Sequence, residues 1–215
     1  NTNISYSDIK KIIFLKCSIN TIQLTLSHSE MQSAFSIKGN IFANKLTINN
    51  VNYISKKNAY LDTEIILESD SIKINAPVIM ISQVNFRDLQ YTHFEHEYLL
   101  SFITENEEIE EILIITPSKF QYLFKNHKLN GQINSLVKIE KKKENIDASC
   151  EIEFRLNNCD YESLTVPFRI SQINSSGHFS NGESHSLSTS KIILKDFKSN
   201  KKEGVFNGDF IITNF

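Results

Sequence analysis

The sequence predicts a mostly β protein: a long, curved antiparallel sheet that forms an open, taco-like groove, with one or two short helices around residues 107–127. The first observation is alternation, which is clearest in 146–156, where every second residue is apolar (Ile146, Ala148, Cys150, Ile152, Phe154, Leu156). Successive side chains of a β-strand point to opposite faces, so this segment predicts a strand with one apolar and one charged face. The second observation is that the same alternation recurs through most of the chain. The third is that short links rich in Asn, Lys, Ser and Gly separate these runs, as in antiparallel hairpins.

The alternation predicts about a dozen strands. In chain order they are Ile19–His28, Met31–Gly39, Ile41–Ile48, Ala59–Leu67, Ser71–Asn75, Val78–Leu89, His93–Thr104, Gln132–Lys142, Ile146–Leu156, Phe168–Ser180, Leu187–Phe197 and Gly204–Phe215. Two charged links, Ser55–Asn58 and Lys141–Asn145, are predicted to be hairpin tips in solvent. Gly208 interrupts an apolar face in the last strand, which predicts a bulge or a close backbone approach there.

One region, 105–128, changes its period from 2 to about 3.6 and predicts a helical insert. Ile109, Ile112 and Leu113 form one apolar stripe, and Phe120, Leu123 and Phe124 form a second. Thr116–Pro117 is a helix-start signal, because a hydroxyl can cap the first turn and Pro is tolerated there. We therefore expect two short helices, joined near Thr116, that cover an exposed end or edge of the sheet.

The composition limits the class of protein. Hydrophobic residues make up 40% and charged residues 22% of the chain, which is typical of a folded domain and too apolar for a disordered one. The net charge is −2, and the only dense basic run, Lys141–Lys143, is followed by Glu144, so no nucleic-acid partner is predicted. No segment approaches the roughly 20 apolar residues of a membrane-spanning helix. The chain begins with Asn1, and we interpret residues 1–215 as a single elongated segment of a larger protein.

The three cysteines, Cys17, Cys150 and Cys159, have no metal-ligand spacing. Cys150 lies on the apolar side of its strand and is interpreted as a small core residue. One disulfide could form in an oxidising compartment, and the sequence leaves the redox state of all three thiols open.

The sequence predicts no enzyme, metal site or cofactor. Nucleophile-elbow, phosphate-loop and zinc-protease patterns are absent. The densest cluster of metal-ligand residue types, 93–97 (HFEHE), is interpreted as the polar side of one strand, because ligands from one strand make a poor site without partners elsewhere. His178 and His185 flank a turn near Ser176, Ser184 and Asp196. A hydrolase triad there is the third hypothesis, and no oxyanion-hole signal accompanies it.

Three stretches carry a resemblance to a known family. They are 39–53 (GNIFANKLTINNVNY), 109–131, and the repeated pattern of inner strand, Gly and outer strand in 173–215. These stretches resemble AsmA-like proteins of the Bacteroidetes type, related to the TamB group, and the similarity covers most of the chain from Ile19 onward.

The resemblance implies a curled sheet with lipid acyl chains along its apolar inner face. It implies a parent protein that is anchored in the inner membrane by a helix absent from this chain and projects into the periplasm, with a role in outer-membrane biogenesis and phospholipid transport between membranes. The family has no catalytic motif to transfer. The main hypothesis is therefore a non-enzymatic groove whose partners are phospholipids or fatty acyl chains.

The candidate lining residues are the alternating apolar positions of the best-patterned strands: Phe42, Leu46, Ile48, Leu61, Ile65, Val137, Ile139, Ile152, Phe154, Ile192, Leu194, Phe206, Phe210 and Ile212. Each of them could equally belong to a closed core. The second hypothesis is a structural scaffold whose sheet edges pair with partner chains or with further copies of itself.

Overall fold

The structure is a computed structural model that describes residues 2–7, 13–29, 32–48, 51–116, 124–201 and 204–213. These residues form one antiparallel sheet of twelve strands in which each strand pairs with its neighbours in sequence. The strands are β1 (Thr2–Ser7), β2 (Ile13–His28), β3 (Gln32–Ile48), β4 (Val51–Glu68), β5 (Ser71–Ile81), β6 (Val84–Phe94), β7 (Glu97–Glu108), β8 (His127–Lys141), β9 (Ser149–Ser163), β10 (Phe168–Ser180), β11 (Lys191–Lys201) and β12 (Gly204–Thr213). One helix, α1 (Ile109–Ile115), follows β7, and a short 3-10 turn (Leu187–Thr189) precedes β11.

The sheet is an open meander, which confirms the predicted fold class. Within the described ranges, β1 and β12 are the two edges, and no pairing joins them into a barrel. In the part of the chain that the structure describes, the substantial contacts between elements join neighbouring strands, together with α1 to β7 and β8. The sheet is therefore a single curved layer and does not fold back on itself as a sandwich.

Several strand ends differ from the prediction. The predicted strands Val78–Leu89 and His93–Thr104 each contain a two-residue hairpin turn, at 82–83 and at 95–96. Ser82 and Glu95 take positive φ values of 57° and 50° in these turns, a conformation usually given to Gly or Asn, so the sequence carried no turn signal. Because 95–96 is a turn, His93 and Glu97 belong to different strands, and the interpretation of 93–97 as the polar side of one strand is wrong.

The predicted tip Ser55–Asn58 is also wrong, since it lies inside the continuous strand β4. Lys56 and Asn58 are exposed there, and a single-layer sheet can carry polar residues along one face for the whole length of a strand. The other predicted tip is confirmed, because β8 ends at Lys141 and a turn follows.

The helical insert is shorter than predicted. β7 continues to Glu108 and β8 begins at His127, so only Ile109–Ile115 is a regular helix among the described residues. Ile109 is buried and Leu113 packs beside it, as the predicted stripe requires. The second predicted helix, with the stripe of Phe120, Leu123 and Phe124, lies mostly outside the described residues, and the described residues 124–126 form a turn before β8. The α1 helix packs on an apolar cluster of the sheet surface that includes Cys159, Ile173 and Phe197, rather than on an edge.

A line of β-bulges crosses the sheet from β6 to β11. We call it the bulge seam, and each of these strands contributes one residue with positive φ: Asp88 (50°), Asn106 (53°), Gly131 (105°), Asn158 (49°), Gln172 (54°) and Asp196 (52°). The pairing register shifts beside each of them. Asn and Asp tolerate this conformation better than other residues with a side chain. Bulges bend strands and increase their twist, so the seam accounts for the curvature of this half of the sheet.

Side-chain oxygens of neighbouring strands accept hydrogen bonds from backbone N–H groups at the seam. Asn174 Oδ1 accepts the N–H of Asn158 at 3.0 Å, and Asp209 Oδ1 accepts that of Asp196 at 2.9 Å. Asp160 Oδ1 likewise accepts the N–H of Gln172 at 3.0 Å. A register shift does lie beside Gly208, but its extra residue belongs to the facing strand β11 and not to β12 as predicted.

Candidate functional site

The two faces of the sheet differ in chemistry. Directly opposed residues of antiparallel strands place their side chains on the same face, so the pairing register defines continuous rows of side chains across the sheet. One row runs from β2 to β9: Leu26, Phe35, Ile65, Ile74, Tyr91, Leu100, Ile139, Cys150. A second row runs from β7 to β12: Phe102, Val137, Ile152, Phe179, Ile192, Ile212. Leu100 and Phe102 lie two residues apart on β7, so both rows belong to one surface, which we call the apolar face.

The opposite surface, the polar face, carries ion pairs. Lys38 Nζ lies 2.6 Å from Asp62 Oδ2, and a guanidinium nitrogen of Arg87 lies 3.2 Å from Glu105 Oε2. The Lys38 side chain is exposed, and its hydrogen bond to Asp62 raises the pKa of the Lys38 amine above the usual value. Ion pairs at such exposure add little stability, and they identify this face as the solvated one.

Among the residues that the structure describes, no second layer lies over most of the apolar face. The α1 helix covers the cluster of Ile109, Cys159, Ile173 and Phe197 beside the seam. Elsewhere in the described part of the chain, the side chains are covered by their neighbours in the curved sheet, and at the margins they are open to solvent. The exposed fraction is 64% for Leu26 on β2 and 50% for Phe206 on β12.

Most of the predicted lining residues lie on the apolar face. They are Leu61, Ile65, Val137, Ile139, Ile152, Phe154, Ile192, Leu194, Phe206, Phe210 and Ile212. Their predicted role as lipid contacts remains a prediction. The side chains of Leu46 and Ile48 lie outside the described part of the structure.

The placement of Phe42 corrects the prediction. Its neighbour Ile41 pairs with Ala59 on the apolar face, whereas Phe42 pairs with Asn58 and therefore lies on the polar face. The prediction placed Phe42 on the same face as Leu46 because it assumed that the alternation continues without a break between them. A register shift between β2 and β3 at Asn44 changes the alternation between the two positions.

The candidate list missed the contribution of β5, β6 and β7 to the apolar face. Ile74, Ile79, Phe86, Leu100 and Phe102 all belong to it, and Phe86 and Phe102 meet edge to face with ring centroids 5.3 Å apart. The apolar character of these residues could have identified them in the sequence. The two hairpin turns that the prediction missed, at 82–83 and 95–96, obscured the alternation of apolar and polar residues in these strands.

A shallow cavity of about 860 Å³ lies on the polar face, across β7 to β11. Its floor includes Ile103, Leu136 and Ile193, and its lining contains the charged side chains of Glu105, Glu153, Arg155 and Lys195 together with the imidazole of His178. Phe154 is the one predicted lining residue that borders it. Because this cavity contains charges of both signs, it does not indicate one class of ligand.

The residues proposed for catalysis have other partners. His178 Nε2 lies 2.6 Å from Glu151 Oε2, and Ser184 Oγ lies 2.8 Å from both Ser186 Oγ and Thr189 Oγ1. His185 Nδ1 lies 2.9 Å from the carbonyl oxygen of Asp147. The geometry among the described residues therefore pairs neither histidine with a serine nucleophile.

Metal-ligand and thiol groups give no further site. In the described ranges, no group of three or more His, Cys, Asp or Glu side chains could hold a metal ion. Cys150 and Cys159 are free thiols, and burial raises the pKa of both, so they resist ionisation. Glu107 is buried on the apolar face, where Asn85 Nδ2 donates to its Oε1 at 3.1 Å.

No protein-family model, curated protein or solved structure is significantly similar to this chain. Among the helices in the described residues, none has the length and apolar character needed to cross a membrane.

Proposed function

We propose that the apolar face holds the hydrocarbon chains of phospholipids or fatty acids. The observation that supports this proposal is the combination of two long apolar rows and a single-layer sheet. A soluble protein rarely leaves a contiguous apolar surface of this extent without an occupant. The resemblance to AsmA-like proteins supports the same function and adds the cellular setting: a periplasmic segment of an inner-membrane-anchored protein that passes phospholipid between membranes during outer-membrane biogenesis.

The energetics favour an acyl chain without any specific polar contact. Each methylene removed from water contributes about 0.8 kcal/mol, so a chain of roughly sixteen carbons would gain on the order of 10 kcal/mol before the costs of immobilisation. The half-buried apolar side chains of adjacent strands offer contacts along the length of such a chain. The polar headgroup would remain in solvent beyond the margin of the face.

The first test is binding by the unaltered protein. Protein purified without detergent is examined by native mass spectrometry for co-purified lipid, then delipidated and titrated with a fluorescent fatty acid. We expect saturable binding with a dissociation constant in the micromolar range or below, of the order that burial of a partly covered chain allows. Absence of both retained lipid and saturable binding would contradict the proposal.

A sheet-edge scaffold is the second candidate, and a specific observation on β12 favours it.

A further inference from the structure

The outer edge of β12 lacks the features that usually protect an edge strand. Within the described residues β12 pairs only with β11, so the backbone groups along its other side have no strand partner. Edge strands are usually protected by Lys, Pro, inward charges or a covering element. Gly204–Thr213 contains no Lys and no Pro, and its single charge is Asp209. On the polar face, Val205 is 71% exposed and Ile211 is 64% exposed. Such exposed aliphatic side chains are typical of a strand that pairs with another strand along its outer edge.

The sequence of β12 is a chemical palindrome. Residues 205–211 read Val-Phe-Asn-Gly-Asp-Phe-Ile, so an aliphatic residue, an aromatic residue and a polar residue lie in mirror order on each side of Gly208. An antiparallel pair of two identical strands centred on Gly208 would place like residues opposite one another. We propose that two copies of this chain associate through the outer edges of β12 in this register, about a twofold axis at Gly208.

Three kinds of residue pair in this register are favourable. Phe206 lies opposite the partner's Phe210, and Val205 lies opposite the partner's Ile211. Asn207 lies opposite the partner's Asp209, where an amide N–H can donate to a carboxylate. One oxygen of Asp209, Oδ1, already accepts the N–H of Asp196, which leaves Oδ2 for the partner. Aromatic, aliphatic and amide–carboxylate pairs are the cross-strand contacts that stabilise antiparallel sheets.

The aromatic side chains are already arranged for this contact. Phe206 and Phe210 stack at 5.3 Å with an interplanar angle of 18°, and both meet Phe197 edge to face. Phe197 is buried, whereas Phe206 is 50% exposed. The second copy would cover the open side of this stack with its own pair of rings.

Other registers are less favourable. A shift by one residue would place the apolar face of one copy opposite the polar face of the other. A shift by two residues in one direction places Asp209 opposite the partner's Asp209, and like charges in direct opposition destabilise a sheet. The shift by two in the other direction places both Phe206 and Phe210 opposite glycines. The register centred on Gly208 therefore has the best pairing, and it would make the apolar face continuous across both copies.

The test is the oligomeric state of the chain, measured by sedimentation equilibrium without lipid, so that its outcome is independent of the proposed lipid function. We expect the unaltered chain to form dimers at micromolar concentration. Two variants with matched exposed substitutions test the register. V205K/I211K places lysine opposite the partner's lysine and should raise the dimer dissociation constant at least tenfold. V205K/I211E places lysine opposite the partner's glutamate, should retain the dimer, and controls for the loss of two apolar side chains.

A monomeric unaltered chain at tens of micromolar, or equal dissociation constants for the two variants, would overturn the proposal. Hydrogen exchange of the unaltered chain provides a measurement that needs no variant. On concentration from the monomer to the dimer range, amide protection should increase in Gly204–Thr213 and remain unchanged in β1. An increase elsewhere, or none, would also overturn it.

Discussion

Gly131→Ala is expected to lower the free energy of unfolding by about 2–6 kcal/mol, a large part of the roughly 5–15 kcal/mol that stabilises a typical domain. Gly131 is the seam residue of β8, with φ of 105°, a conformation that residues with a side chain rarely adopt. An added Cβ would lie 2.5 Å from the Cα of Cys159 and 2.8 Å from the carbonyl oxygen of Asn158. Both are backbone atoms of the neighbouring strand, so β8 and β9 would have to separate. Urea denaturation followed by circular dichroism measures the change.

Gly204→Ala is the matched control for this prediction. An added Cβ at Gly204 would meet no atom within 4 Å, and the residue lies on a strand of the same sheet. We expect a change of less than about 1 kcal/mol. If Gly131→Ala were as stable as Gly204→Ala, the close approach of β8 and β9 at the bulge seam would be wrong.

The double substitution L24K/L26K is expected to weaken fatty-acid binding by about tenfold to a hundredfold. Both leucines lie on the apolar face of β2, opposite Ile37 and Phe35, and both are more than 60% exposed, so the fold should tolerate the change. Each leucine contributes on the order of 1 kcal/mol when an acyl chain covers it, and about 1.4 kcal/mol corresponds to a factor of ten. Fluorescent fatty-acid titration measures the loss.

The control, T25K/S27K, places the same two charges on the same strand but on the polar face. Thr25 and Ser27 lie opposite Ser36 and Ala34 and are exposed. We expect binding within about twofold of the unaltered protein, since substitutions on a solvated face change little. Equal losses in both variants would indicate a general charge effect and would contradict a site on the apolar face.

The sequence predicted the strands well because alternation depends on local side-chain chemistry. The apolar side of β2, with Leu24 and Leu26, follows directly from the period of 2, and so does the predicted strand 146–156 from residue 149 onward, where β9 begins. Residues 146–148 precede β9, and Ile146 is 91% exposed there, so the predicted start of this strand was wrong. The hairpin turns at 82–83 and 95–96 could not be found in the same way. Ser82 and Glu95 adopt positive φ because the flanking strands pair, and that pairing is a long-range property.

The bulge seam was also beyond the sequence, apart from the prediction at Gly208. Asp88, Asn106 and Asn158 are ordinary polar residues in their strands, and only the register of the neighbouring strand makes them bulges. This explains the error at Phe42 as well, because one extra residue at Asn44 exchanges the two faces. The candidate surface could therefore be predicted as an alternating apolar set, while its exact membership depended on where each strand is interrupted.

The most direct test of the lipid proposal uses the absence of tryptophan from the chain. A single tryptophan is introduced in each of two variants. Phe179→Trp lies in the second row of the apolar face, opposite Ile152 and Ile192. Phe94→Trp lies on the polar face, opposite Ser71 and Glu97. Each variant is titrated with a fatty acid brominated along its chain, which quenches tryptophan fluorescence on contact. We expect strong, saturable quenching of Phe179→Trp and little quenching of Phe94→Trp. Equal quenching of the two, or stronger quenching of Phe94→Trp, would show that hydrocarbon does not occupy the apolar face.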